Sequence, residues 1–387
     1  MGELKPGWRR VKFGEVVRLN RETCKDAAGE GIERFIGLEH LEPGDLRVRS
    51  WGEVSDGTTF TNRVRPGQVL FGKRRAYQRK IAVADFDAVC SGDIYVFESA
   101  NPEVLLPELL AFICQTEAFF EHAVETSAGS LSPRTNWSSL ANYQFVLPSL
   151  EEQRRVAAVL VAANSASNAY REVFASAQAS KSSLLGEVLP RLGGARMIRL
   201  ADAARVVRGS TPRPAGDPRY FGGSFIPWLT VGEVTRAQGM YLTNTETMLT
   251  EAGARLSRLI PAGTVVLTNS GFSLGVPGIL AMDACANDGV AAFLELDESL
   301  LLPPFLYYCL VGLTEYFRVG VAAGGDQPNL NTARIGAVQV PCPDLSQQRE
   351  FVGLVSSLEA NAAAARQRQI LVQRVSVRLL SSMMQGA

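Results

Sequence analysis

The chain has 387 residues, 39 lysines and arginines set against 39 aspartates and glutamates, and 46% hydrophobic residues. That length accommodates two or more domains with cores of their own, and the apolar content is that of an ordinary globular protein. A formal charge of zero gives no support to a nonspecific polyanion binder, and no apolar run approaches the roughly 20 residues of a membrane span. The polar, basic start Met1–Arg10 lacks the apolar centre of a signal peptide. Six cysteines without a C-x-x-C pair read as buried, reduced thiols of a cytoplasmic protein.

Residues 1–148 read as mixed α/β. Strand-like runs at Arg34–Leu38, Gln68–Phe71, Lys80–Ala84 and Ile94–Phe97 are separated by Gly, Pro and Asp breaks, and apolar residues at helical spacing predict one helix over Pro107–Val124. Within residues 61–84 lie Arg63, Arg65, Lys73, Arg74, Arg75, Arg79 and Lys80 with no acidic residue, a basic cluster that the neutral total hides. Residues 149–192 then predict a long helix. Ser149 stands at its N-cap with Glu152 three positions on, the spacing of a capping box, and Pro190 with Gly193-Gly194 ends it. Val156, Ala163, Tyr170, Ala177 and Leu184 recur every seven residues, and Val159, Ala166 and Val173 partly fill a second seam. Residues 193–343 repeat the first unit, and 344–387 repeat the long helix. There Asp344 and Gln347 take the capping places, Phe351, Leu358, Ala365, Val372 and Leu379 take the heptad positions, and Leu354 and Val375 the second seam.

This doubling is the strongest signal in the chain. Leu147-Pro148-Ser149-Leu150-Glu151-Glu152-Gln153-Arg154 returns 195 residues later as Cys342-Pro343-Asp344-Leu345-Ser346-Gln347-Gln348-Arg349. Cys90 with Cys285 and Cys114 with Cys309 keep that offset, Leu106-Pro107 and Leu302-Pro303 miss it by one, and Arg65–Leu70 resembles Pro261–Val266. A chain built as unit, helix, unit, helix is suited to gripping two similar things at a fixed separation. The fold expected is therefore α/β (α+β): two similar mixed domains, 1–148 and 193–343, with two long heptad helices that pack on each other.

Motifs of catalysis fail in context. Gly67–Lys73 has most of a P-loop, but Arg74 stands where Ser or Thr would hold Mg²⁺, and a strand follows rather than a helix. Gly271-Phe272-Ser273-Leu274-Gly275 matches a nucleophile elbow, yet Pro277-Gly278 breaks any following helix and both histidines, His40 and His122, precede the serine. Asp217-Pro218-Arg219-Tyr220 departs from the D-P-P-Y of adenine methyltransferases at its third residue and has no glycine-rich loop for S-adenosylmethionine. Two histidines without C-x-x-C argue against structural zinc. A chain of this size with matched units and no site reads as a binder.

At this point the residues resemble the specificity subunits of type I restriction–modification systems. The resemblance rests on Gly209-Ser210-Thr211-Pro212, Tyr220-Phe221-Gly222-Gly223, Ile226–Thr230, Gly263–Thr268, Ala286-Asn287-Asp288-Gly289 and the P-x-L-x-x-Q turn that closes each unit. It covers essentially the whole chain, although the first unit lacks the T-P and Y-F-G-G segments. The resemblance implies that each unit is a target recognition domain reading half of a bipartite site in double-stranded DNA. It implies that the helices pack antiparallel as a coiled-coil-like spacer and dock two methyltransferase subunits, with restriction-translocase subunits completing the complex. It implies a chain that is itself noncatalytic, binds no cofactor and touches no membrane, with S-adenosylmethionine and ATP held on partner subunits.

Reading duplex DNA takes phosphate clamps and base-edge donors and acceptors. Lys73, Arg74, Arg75, Tyr77, Gln78 and Arg79 offer both in one loop of the first unit. In the second unit the matching loop holds Asn269, Ser270 and Ser273, with Thr211, Arg213 and Arg219 as further candidates. The late loops Ser130–Trp137 and Gln327–Asn331, including Gln327 and Asn329, are rich in amides and hydroxyls. A paired-domain protein scaffold is the competing expectation, and a serine hydrolase at Ser273 a third.

Overall fold

The computed structural model describes residues 5–194, 196–271, 273–321 and 330–385. The chain divides into two compact units, one of Met1–Glu172 with Ala365–Ala387 and one of Val173–Ala364. Each is a mixed α/β body, as the alternating strand and helix signals predict.

In the first unit two four-stranded sheets carry the core. One has Val69–Gly72 between Ile94–Ser99 and Ile81–Val83, with Val17–Leu19 at its edge. The other has Arg34–Ile36 and Ala88–Cys90 side by side and parallel, flanked by Gly52–Glu53 and Asn62–Val64. Phe13, Phe71, Phe97 and Phe119 are fully buried and in ring contact, Phe13 and Phe119 having centroids 4.9 Å apart. The second unit repeats the plan. Val265–Thr268 lies between Pro277–Leu280 and Val290–Leu294 in a five-stranded sheet, and Phe221–Leu229 runs parallel to Ala284–Ala286 in a four-stranded one. In both units the first strand pairs antiparallel with the last strand before the long helix, Arg9–Lys12 with Gln144–Leu147 and Met197–Arg199 with Gln339–Pro341.

The doubled P-x-L-x-x-Q turn has a structural cause. Gln153 is buried at the start of the first long helix; its Oε1 accepts from Leu106 N (2.9 Å), while its Nε2 donates to Val104 O (2.9 Å) and Pro148 O (3.0 Å). Gln348 repeats this lock, accepting from Leu302 N (2.9 Å) and donating to Leu300 O (2.7 Å) and Pro343 O (2.9 Å). Each amide thus ties three chain segments through groups that would otherwise be buried without partners. The caps form as expected: Ser149 Oγ accepts from Glu152 N (3.4 Å) and Asp344 Oδ1 from Gln347 N (2.9 Å).

The helices run over Leu150–Ser183 and Leu345–Gln385. Within the first unit Val156, Ala157 and Leu160, early in one helix, share a core cluster with Leu380 and Met383, late in the other. Within the second unit Lys181, late in one, donates to Glu359, early in the other (2.5 Å). The pair is therefore antiparallel.

Four expectations need correction. The single helix over 107–124 is two, Pro107–Cys114 and Glu117–Glu125, because Thr116 caps the second with its side chain. The first long helix leaves α geometry at Ser183 and continues as a π turn (Leu184–Val188) and a 3₁₀ stretch (Leu189–Gly194). The second seam does not use Val159, Val173, Leu354 and Val375, all exposed on the helices; Leu160, Ser167, Val355 and Ala362 are buried instead. The cysteine pairing is coincidental. Ile36 lies opposite Cys90 and Leu229 opposite Ala286, so the counterpart of Cys90 is Ala286, and the Pro107–Pro303 register pairs Cys114 with Leu310. All the cysteines except half-buried Cys342 are buried, and burial pushes the Cys90 thiol up to about 12. No helix among the described residues is long and apolar enough to cross a membrane.

Candidate nucleic-acid interface

In the first unit the strand Val69–Gly72 delivers the chain into the basic loop. Lys73 N donates to Asp93 O (3.0 Å), and the backbone then turns through Arg75 and Arg79, both left-handed at φ 54° and 57°. Non-glycine residues in that region are held there by their surroundings, and here the second loop does the holding. Arg75 N donates to Pro133 O (2.7 Å), and Thr135 N donates to Lys73 O (3.1 Å). Arg74 donates to Ser132 Oγ (3.1 and 3.0 Å) and to Asp93 Oδ2 (3.2 Å), while Arg134 reaches Asp93 Oδ1 (2.9 Å). The loops 73–79 and 130–137, far apart in sequence, thus form one surface pinned on Asp93. Burial acts to raise the Asp93 carboxyl, but hydrogen bonds from Arg134 and Arg74 outweigh it and hold the group below the ordinary aspartate range.

The basic cluster is less bare than its sequence. Arg63 pairs with Glu30 and Asp87, Arg65 with Glu22, Arg74 with Asp93, and Arg79 with Glu117. The hydrogen bonds from Arg79 hold Glu117 below its usual range, and the Arg79 guanidinium lies 5.5 Å from the Phe120 ring centroid. Arg79 is thus an anchor of the loop. Lys80 donates to Leu38 O (2.6 Å), and Lys73 sits 4.6 Å from the Tyr95 ring centroid. Among the described residues, Arg75 and Tyr77 are the exposed members of the loop whose side chains have no partner, with half-buried Gln78 between Tyr77 and Arg79; Leu131 at the tip of the neighbouring loop is 90% exposed.

In the second unit the candidates gather at Asp288. Its Oδ1 accepts from Thr211 N (3.4 Å), its Oδ2 from Arg213 (3.3 Å), its N–H donates to Thr211 Oγ1 (3.2 Å), and its carbonyl accepts twice from Arg208. Asn269 N donates to neighbouring Gly289 O (2.9 Å), and a Cβ on Gly289 would stand 2.7 Å from Ser270 Oγ. Thr211, Arg213, Asn269 and Ser270 therefore share one locality. Asn269 is fully buried, and neither its Oδ1 nor its Nδ2 has a partner. Arg219 sits elsewhere, gripping Asp217 (3.1 and 2.7 Å) and resting on the Tyr220 ring at 5.3 Å. Ser273 lies in the hairpin between Val265–Thr268 and Pro277–Leu280, where its carbonyl accepts from Thr268 Oγ1 (2.5 Å). Gln327 and Asn329 lie outside the described residues.

The sequence points to Ser132 and Arg134 only as part of the loop 130–137, and does not point to Asp93, Arg208 or Asp288 as site residues. Asn287-Asp288-Gly289 was visible as a motif; nothing local marks Asp93 as the residue that gathers two arginines. Of the catalytic motifs, Gly67–Lys73 contains the strand Val69–Gly72 and is followed by the short 3₁₀ turn Ala76–Gln78 rather than by an α-helix, and the histidines of the first unit are engaged locally, His40 accepting from Gly37 N (3.0 Å) and His122 in contact with Ser139 O (2.9 Å).

Residues 195–374 match the type I restriction modification DNA specificity domain family. The type I restriction enzyme MjaIX specificity subunit of Methanocaldococcus jannaschii is 23% identical over 188 residues, 48% of this chain and 42% of that protein, so the match spans less than half of the relative. The type I restriction-modification S subunit from M. genitalium is similar in fold, with a TM-score of 0.64, 13% identity, and coverage of 99% of this chain and 97% of that one. A chain from the structural work on complex assembly and conformational transition of the type I R-M system gives 0.57, 21% identity and 99% coverage of both. The doubled α/β unit and its antiparallel helices agree with the fold of these S subunits, and residues 195–374 carry the type I restriction modification DNA specificity domain.

Proposed function

We propose that this chain reads DNA sequence for a type I restriction–modification complex, each unit taking one half of a bipartite site in duplex DNA. The observation that carries the reading is the twofold construction: each unit has the same strand-to-loop framework, and each is tied to its helix by the same buried glutamine. In the first unit Arg75, Tyr77 and Gln78 offer a cation, an aromatic ring and an amide on a surface held by the Asp93 cluster. In the second, Thr211, Arg213 and Ser270, without the fully buried Asn269, offer hydroxyls and a cation around Asp288. These are the groups that clamp phosphates and address base edges. The long helices set the gap between half-sites and dock two methyltransferase subunits, with restriction subunits added where the system has them. The chain contributes no catalysis, and S-adenosylmethionine and ATP act on the partners. Methylome sequencing of cells carrying this chain with its partner methyltransferase tests the whole reading: two fixed half-sites at constant spacing are expected, and a continuous or absent motif would overturn it. A four-residue insertion near Ser180 adds about 6 Å of helix and should lengthen the gap by about one base pair while both half-sites stay the same. Altered bases within a half-site would refute the ruler.

The ion pairs on Arg63, Arg65, Arg74 and Arg79 favour a second reading, a paired-domain protein scaffold without DNA recognition. Salt decides between them. A specific DNA reader loses affinity along a log–log slope of several released counterions, whereas the scaffold has no tight DNA binding to lose.

A further inference from the structure

In the first unit a cavity of about 320 Å³ lies among the helices Pro107–Cys114 and Glu117–Glu125 and the two long helices. Phe112, Phe120 and Leu380 form an apolar wall, and Asn164, Ser167 and Ser376 a polar one. Ser167 is only 6% exposed, and neither its hydroxyl nor the Asn164 amide has a hydrogen-bond partner among the described residues. Asn164 is half-buried, and the polar atoms of both side chains are reachable by solvent, so a ligand entering the cavity can pair with them in place of water.

The internal repeat shows what kind of group suits the space. By the Pro107–Pro303 and Gln153–Gln348 registers, the counterparts of Phe112, Asn164 and Ser376 in the second unit are Tyr308, Glu359 and Lys181. There the Tyr308 hydroxyl donates to Glu359 Oε2 (2.9 Å), and Lys181 donates to Glu359 Oε1 (2.5 Å). The second unit fills the equivalent space with a phenol and closes it with an ion pair; the first has a ring without the hydroxyl and two small neutral groups. Its wall presents no unpaired charge, since Arg79 at the rim is paired with Glu117.

We propose that this cavity is a binding site for a small neutral phenol or similarly hydroxylated aromatic molecule. Its ring packs on Phe112, Phe120 and Leu380, and its hydroxyl exchanges hydrogen bonds with Asn164 and Ser167. The size suits it: a cavity of roughly 150 Å³ holds benzene, so this one admits a substituted ring. The occupant touches Arg79, which closes the 73–79 turn, and so meets the anchor of that loop.

The test titrates 4-fluorophenol into the full chain, following the ¹⁹F signal and the melting temperature. One-site saturation and a concentration-dependent rise in melting temperature are expected, and fluorobenzene, lacking the hydroxyl, should bind about fivefold more weakly, the equivalent of one net hydrogen bond. The variant Phe112→Tyr/Asn164→Glu/Ser376→Lys, which rebuilds the network of the second unit, should weaken binding at least about tenfold. Val377→Trp narrows the rim from a residue 62% exposed, where the core is not disturbed, and should do the same. Unsaturable binding to the wild-type chain, or affinities within twofold in Val377→Trp, would overturn the proposal and leave a partner protein's side chain as the occupant to seek.

Discussion

Replacing Gln348 by Met keeps the length and volume of the side chain and removes its amide. Three groups then lose their partner: Leu302 N, Leu300 O and Pro343 O, held at 2.9, 2.7 and 2.9 Å. Leu300 O retains the weaker Cys342 thiol at 3.4 Å, and Leu302 stands at the N-cap of helix Pro303–Gly312. A buried donor or acceptor stripped of its partner costs about 1–3 kcal/mol. With Leu302 N and Pro343 O orphaned and Leu300 O partly compensated, the loss should be about 2–5 kcal/mol, and Gln153→Met should match it. Urea unfolding by tryptophan fluorescence and circular dichroism measures it as a fall in midpoint at constant slope. Gln348→Glu sharpens the test. A carboxylate there would face two carbonyls, so its folded pKa must rise. A raised folded value makes stability complete below the unfolded pKa of about 4.3 and lost as pH climbs through the folded one. The Glu variant should thus be nearer wild type at pH 5 than at pH 8. A change under about 0.5 kcal/mol for Met, or no pH dependence for Glu, would refute the lock and leave the repeated turn as simple packing.

Other substitutions probe the loops. Gly209→Ala sets a Cβ 2.2 Å from Asn287 O and 2.3 Å from Ala286 O, contacts only backbone movement can relieve; a loss of about 2–4 kcal/mol is expected in thermal unfolding, together with weaker DNA binding as Thr211 leaves Asp288. Arg75→Ala should cut DNA affinity by about 1–3 kcal/mol at one position if it reads a base, or lower the salt slope by about one if it holds phosphate; unchanged titrations would remove it from the interface. Asp93→Asn should loosen the pairing of loops 73–79 and 130–137, read as faster exchange of the Arg75 and Thr135 amides. In the wild type that pairing, resting on a lowered carboxyl pKa, is complete above about pH 4 and fades as pH falls through the folded value. Equal protection in the variant would show that the backbone bonds alone suffice.

Much of this architecture is legible along the chain because its causes are local. Pro148-Ser149 and Pro343-Asp344 cap helices with side chains acting three residues away, and long stretches without proline set the helices' extent. The doubling announces itself because the same lock must be built twice from the same letters. The serine and amide content of 130–137 likewise marks a loop that the fold uses. What the tertiary structure alone decides depends on neighbours in space. Arg63, Arg65, Arg74 and Arg79 look like free positive charge until Glu30, Asp87, Glu22, Asp93 and Glu117 are brought against them from other elements. Val159 and Leu354 satisfy a heptad, but whether an apolar residue is buried depends on which face of the helix the domain covers, and here that face turns toward Leu160 and Val355. Cys90 and Cys285 keep the repeat's spacing, yet strand register moves one of them out of equivalence. Capping and periodicity act over one helical turn and so can be read in order; charge pairing, seam choice and register are settled between residues that only folding makes adjacent.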